Sequence, residues 1–189
     1  MFPDKGGVMS SNSSIDRRVR STRNALGRAL LSLGGIKDVD RLSVGQLARA
    51  AGIGRSTFYG HYRGLDDYLA RSFATMLASM ARAEESDKVL PVRAIVAHVA
   101  AAGDGATRLA KGRHFATMMI EGEAALRRVA GDRLAARHPD LADVDRRALA
   151  TVLAAGFLAM LRDCLDQGRP VASDEVVRRF EEVEARLTA

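Results

Sequence analysis

The chain contains one cysteine, so no internal disulfide framework holds it together. It has only four prolines, and apolar and polar residues almost never alternate. Little is left from which to build strands, and few helices are forced to break. Long apolar runs are also missing. The longest uncharged stretch, Ala148 to Leu161, lies between Arg147 and Arg162. It falls short of the roughly 20 residues a bilayer span requires and reads as a buried core helix. Residues 1–14 are polar and carry no apolar run, so no secretory signal is expected there. They are read as a disordered lead, with Met9 as an alternative start.

What is present describes a folded domain. Hydrophobic residues make up 47% of the 189 and charged residues 28%, which excludes disorder throughout and allows a sizeable core. Alanine, leucine and arginine dominate, and all three favour helices. The net charge of +6 is unevenly spread. Residues 1–75 carry 12 Lys and Arg against 6 Asp and Glu, a balance of +6, whereas residues 76–189 carry 17 of each. A basic first part on a neutral remainder suits contact with a polyanion, although a solvated basic surface would look the same.

Periodicity and capping signals divide the chain into about nine helices. A first helix runs from about Asp16 to Leu33, with Val19, Thr22, Leu26, Leu30 and Leu33 as its apolar stripe and Gly34-Gly35 as its stop. Arg17, Arg18, Arg20 and Arg23 crowd its start, where the helix dipole prefers anions. Ser43 and Gln46 form a capping box for a second helix, and Ala51-Gly52-Ile53-Gly54 is a turn. A third helix spans Arg55 to His61. A fourth begins near Gly64, with Asp66 and Asp67 in its first turn, and extends to about Glu85. Further helices are expected over Pro91 to Ala101, Ala106 to Lys111, Arg113 to Glu121 and Glu123 to Arg137. A long one runs from Asp143 to Gln167, stopped by Gly168 and Pro170, and the last from Ser173 to Thr188.

Residues 43–62 carry the most informative pattern. Two short helices joined by a glycine-containing turn have the form of a DNA-binding helix-turn-helix. Leu47, Ile53 and Phe58 supply apolar contacts, Ala48 is small where the helices must approach, and Gly52 sits in the turn. The second of these helices offers Arg55, Ser56, Thr57, Tyr59 and His61. In such units the N-terminal part of that helix enters a major groove.

The stretch from Leu42 to Tyr62 resembles the TetR family of bacterial transcriptional regulators. The resemblance is carried by Ala50-Ala51-Gly52-Ile53 followed by Thr57-Phe58-Tyr59-Gly60-His61-Tyr62. Arg63-Gly64-Leu65-Asp66-Asp67-Tyr68-Leu69 looks like the family's opening of the fourth helix, and the specific match covers about residues 16–75. The resemblance implies that Arg55, Ser56, Thr57 and Tyr59 face the major groove or nearby phosphates. It implies phosphate contacts for His61 and Ser43, and packing roles for Phe58 and Tyr62. Tyr59 also has a reading as simple packing. An arginine can pair bidentately with guanine, and hydroxyls suit phosphates. Three positions depart from the family: Gly54 stands where serine or threonine caps the third helix, Leu65 where a lysine is common, and Gly60 where side chains are larger.

The expected fold is all-α. After the lead at 1–14, residues 15–63 form a three-helix helix-turn-helix DNA-binding domain. Residues 64–189 form a helical ligand-binding and dimerisation domain, with 64–86 as connecting helix. The long helix is apolar nearly all round, which implies burial on several sides. With the last helix it is read as a dimer interface through Leu149, Leu153, Phe157, Met160, Val176, Phe180 and Val183; closing the core of a single subunit is the other reading. A ligand pocket is expected from Met76, Met80, His98, Phe115, Met118, Met119, Phe157 and Met160, since methionine adapts to apolar ligands. Methionine at helical spacing equally makes ordinary core. His98, His114 and His138 lack metal-site spacing, and Cys164 reads as a small buried hydrophobe. No nucleophile elbow, zinc-protease helix or phosphate loop is present, so neither an enzyme, a cofactor nor a metal is expected. The resulting expectation is a cytoplasmic homodimer with no membrane association. It acts as a repressor bound to a palindromic double-stranded operator and released by a small-molecule effector. The rival is a helical small-molecule-binding protein or enzyme that kept the fold without binding DNA.

Overall fold

The computed structural model describes residues 9–33, 39–84, 87–167 and 173–188. Among them are nine helices and no strand. They are α1 (Met9–Ser32), α2 (Val44–Ala50), α3 (Arg55–His61), α4 (Leu65–Ala83), α5 (Val92–Ala102), α6 (Asp104–Ala110), α7 (Phe115–Arg137), α8 (Asp143–Asp166) and α9 (Ser173–Thr188). The chain divides into two compact units, Met1–Leu65 and Asp66–Ala189.

In the first unit, α1 begins at Met9, seven residues earlier than its apolar stripe suggests. Serine and asparagine are mediocre inside helices, but extending an existing helix is far easier than nucleating one. Residues 9–14 of the expected disordered lead are therefore helical, while residues 1–8 and Gly34-Gly35 lie outside the described residues. The capping box forms as the sequence suggests. Ser43 Oγ accepts from the Gln46 amide at 3.2 Å, and the Ser43 amide donates to Gln46 Oε1 at 3.0 Å. Helix α2 closes through a double hydrogen bond: Ile53 N donates to Ala48 O at 3.0 Å and Gly52 N to Arg49 O at 3.1 Å. That arrangement requires a left-handed residue just past the helix, and Gly52 supplies it with φ 68°. Among the described residues, Leu26, Ala29, Val39, Leu47, Ala48, Phe58, Tyr62 and Leu65 are the buried hydrophobic side chains of this unit.

The second unit surrounds one apolar core, built on Leu126, Ala130 and Leu134 of α7, Leu153, Ala154 and Phe157 of α8, and Val177 and Phe180 of α9. Phe157 and Phe180 meet edge to face at 5.2 Å between centroids. By length and composition α8 would suffice to cross a membrane. Its apolar residues Ala150, Leu153, Ala154, Phe157, Leu158, Leu161 and Leu165 are instead buried in this core. The two helices expected over Arg113 to Glu121 and Glu123 to Arg137 are one continuous α7. Gly122, the residue left between them, makes room for side chains of α4: a Cβ there would sit 2.5 Å from Phe73 Cε1 and 3.3 Å from Leu77 Cδ1.

Polar contacts pin α4 to α7 at both ends. His114, buried just before α7, bonds through Nδ1 to Asp66 Oδ1 in the first turn of α4. Arg113 Nε donates to His114 Nε2 at 3.2 Å, which leaves Nδ1 to carry the ring proton. At the other end, Arg133 donates to the carbonyls of Ala81, Glu84 (3.0 Å) and Lys88 (2.8 Å). Partners therefore advance together along both helices, so α4 and α7 run parallel.

Glu184 of α9 is a buried carboxyl that accepts from the Val89 amide at 2.9 Å, and its Oε2 has no hydrogen-bond partner. Desolvation by burial raises its pKa above the ordinary glutamate value, against the opposing pull of the Val89 and Leu90 amides, Lys88 and Arg137.

Two predictions follow from these contacts. Substituting Gly122→Ala destabilises the protein by about 1–3 kcal/mol through overpacking against Phe73. Gly131→Ala, on the same helix with open space beside it, stabilises by about 0.5–1 kcal/mol. Urea unfolding of the two variants measures both, and equal effects would contradict the close α4–α7 approach. Because the folded state holds the Glu184 proton more tightly than the unfolded state, this group's contribution to stability falls as pH rises from the ordinary glutamate range through the raised value. Glu184→Gln flattens that decline, and urea midpoints taken across the acidic range measure it.

Candidate nucleic-acid interface

Helix α3 has seven residues and buries one of them fully, Phe58. Its ring lies 5.4 Å from that of Tyr62 and meets Tyr59 edge-on at 5.6 Å. With Phe58 facing inward, the other faces of α3 point to solvent. Arg55, Ser56, Thr57 and Gly60 are exposed, Tyr59 is 56% exposed, and His61 is partly covered. Ser43 is exposed at the start of α2, although its hydroxyl is engaged in the capping box. The packing reading of Tyr59 is therefore incomplete: one edge of the ring leans on Phe58, and more than half of the side chain faces water.

Arg55 and α2 come together in a way that sequence reasoning did not anticipate. The guanidinium lies over Gly45 in the first turn of α2, with its Cζ and Nε 3.1 Å from where a Cβ would stand. The absent side chain of Gly45 is what admits it. The sequence contains a signal, a glycine inside a capped helix, but nothing in it indicates which side chain fills the space. At Gly54, the cap of α3, the Ser56 and Thr57 hydroxyls lie 3.5 and 3.8 Å from the corresponding Cβ position. The two hydroxyls therefore gather at the start of α3.

The surrounding charge is strongly one-sided. Arg17, Arg18, Arg20, Arg23, Arg28, Arg41, Arg49, Arg55 and Arg63 are all exposed, whereas Asp40 is the one acid among the described side chains of this unit. Leu65, standing where the resembled family often has lysine, is buried and so offers no contact to an anion; Arg63 beside it is exposed.

The residues read as a ligand pocket behave mostly as core. Phe115 and Phe157 belong to the buried cluster of the second unit, and Met76, Met80, Met119 and Met160 pack against it. Met118 is buried, but His98 is exposed on α5 and does not join the others. The periodicity of the helix gave His98 a position without showing which side faced inward.

The dimer residues need a similar correction. Leu153, Phe157, Val176 and Phe180 are buried within the subunit, and Leu149 and Met160 are partly buried against the same core. Of the set, Val183 is 44% exposed. Because α8 is apolar nearly all round, its sequence could not distinguish the inner face from the outer one. The outer face carries exposed Val144, Ala148, Val152, Gly156 and Ala159, and α9 adds Val183 and Leu187.

No protein-family model and no curated protein matches the chain. Among solved structures it is similar to one described as the dihydroxyacetone kinase operon activator DhaS. The TM-score is 0.57 and the identity 13%, over 87% of this chain and 96% of that one. At that identity the likeness is one of fold.

Proposed function

We propose that the protein is a TetR-like transcriptional regulator that binds double-stranded operator DNA through α3. The observation that carries this reading is the display on α3: a single buried Phe58 anchors a short helix whose Arg55, Ser56, Thr57 and Tyr59 face solvent, on a unit dense in exposed arginine. A helix braced in this way fits a major groove. Arg55 can pair with guanine edges, while hydroxyls, Ser43 and His61 reach the flanking phosphates. The name of the structural neighbour, an operon activator, is in keeping with a regulatory role. Repression is the simpler output for this chain, since occupying an operator requires DNA binding alone, whereas activation requires an additional surface for the polymerase. Such a protein works in the cytoplasm, with the DNA.

The second unit is the effector and dimerisation part of this proposal. A small apolar molecule entering between the methionine-bearing faces of α4, α7 and α8 would shift the protein between two states of different operator affinity, and its differential affinity for those states sets the size of the response. Two-fold pairing occurs through the outer faces of α8 and α9, Val144, Val152, Gly156, Val183 and Leu187, rather than through the residues buried in the subunit core. It places two α3 helices on the half-sites of a palindrome.

Arg55→Ala and Tyr59→Ala are expected to abolish a mobility shift on the DNA upstream of the gene while leaving the helical circular dichroism intact; unchanged binding in both would refute the site. Transcription from that promoter in vitro should fall on adding the protein, and a rise would assign activation. Light scattering should give a dimer at micromolar concentration, and Val152→Glu on the outer face of α8 should shift it to monomer without unfolding.

A further inference from the structure

Gly45 is the second residue of α2 and is half-buried. Glycine weakens a helix relative to alanine, and a helix of seven residues has little stability of its own. The three atoms nearest to where a Cβ of Gly45 would stand all belong to Arg55. Its Cζ and Nε lie at 3.1 Å, and Nη2 would overlap the added atom. No backbone is among them, and a guanidinium is the far end of a long, flexible side chain. Alanine would therefore fit in α2 once Arg55 moved aside. The glycine is not what α2 needs in order to fold; it is what Arg55 needs in order to lie there. Charge does not place the guanidinium, because the first turn of a helix carries the positive end of its dipole and disfavours a cation. What admits Arg55 is space.

We propose that Gly45 is a specificity-determining positioning residue: the side chain missing from α2 sets the direction in which Arg55 leaves α3, and with it the guanine that is read. Gly45 has this role only if α3 is the recognition helix proposed above. Arg55 is the first residue of α3, at the end that enters a major groove on that reading. With Gly45 open, its side chain leaves α3 alongside α2; a methyl at position 45 turns it away. Guanine presents O6 and N7 as paired acceptors, which the amide donors of a helix start do not supply. Such pairing is planar and bidentate, so it depends on the direction from which the guanidinium arrives. Gly45 itself touches no base in this scheme and acts through Arg55.

The test starts from the duplex that the wild-type protein enriches from a random pool. Each G·C pair in it is replaced in turn by A·T, which puts an amino donor where guanine has O6. Fluorescence anisotropy at low salt, where sequence-independent binding stays measurable, gives the affinities. The proteins are wild type, Gly45→Ala, Arg55→Ala, the double variant, and Gly27→Ala on α1, which has open space beside it and controls for a changed helix stability. Wild type and Gly27→Ala should lose about fivefold or more at one particular pair. Arg55→Ala and Gly45→Ala should both be indifferent to that pair, and the double variant should bind every duplex as Arg55→Ala does. Gly45→Ala should unfold in urea no earlier than wild type. If Gly45→Ala keeps the dependence on that guanine, the positioning role is overturned and the reading of α3 survives. A further loss of affinity on adding Gly45→Ala to Arg55→Ala would show that position 45 meets DNA directly, and earlier unfolding of Gly45→Ala would show that more than Arg55 fills the space; either overturns the proposal. If the pool yields no enriched duplex, or no pair depends on Arg55, the reading of α3 falls with it.

Discussion

A helix of seven residues does not persist alone in water, because the cost of fixing its first turn is never recovered over so few hydrogen bonds. Helix α3 exists because Phe58 is buried beneath it and because Gly52 turns the chain sharply enough to deliver Arg55 to its start. Everything proposed for the exposed face depends on those two facts. The outward residues are free to be polar only because one inward residue supplies the attachment. A larger apolar share on α3 would hold it more firmly and leave fewer side chains to meet DNA.

The second unit solves a different problem. Parallel helices place like ends of their dipoles side by side, an arrangement that repels unless charges offset it. At the shared N-terminal end of α4 and α7 stands Asp66, bonded to His114, and at the shared C-terminal end Arg133 caps the last carbonyls of α4. Both charges have the sign that the local dipoles favour. Gly122 then lets the helix surfaces meet in the middle. Helix α4 follows directly on the first unit, so it enters the second unit held at its beginning, middle and end.

The parts legible in the sequence are those decided by local chemistry. Ser43 with Gln46 announced α2, Gly52 announced the turn, and Asp66 with Asp67 announced α4, because caps and turns depend on residues only a few positions apart. Gly122 shows where that ends: the two helices expected on either side of it are one, and only the approach of Phe73, 49 residues away in sequence, shows its use. The outer face of α8 was illegible because an all-round apolar helix has no periodic contrast. His98 and Val183 carry the same lesson on helices where the stripe was clear but the identity of the covering neighbour was not. At the candidate interface, the type of each residue on α3 could be read from the chain. The resting place of Arg55 against α2 could not, since it depends on an empty space in another helix.

That resting place has a consequence for how Arg55 can move. The guanidinium lies over Gly45 while the side chain stays exposed to solvent. On the reading proposed here, aligning it with a base needs only a side-chain rotation on the nanosecond scale, and no part of the α2–α3 packing has to open first.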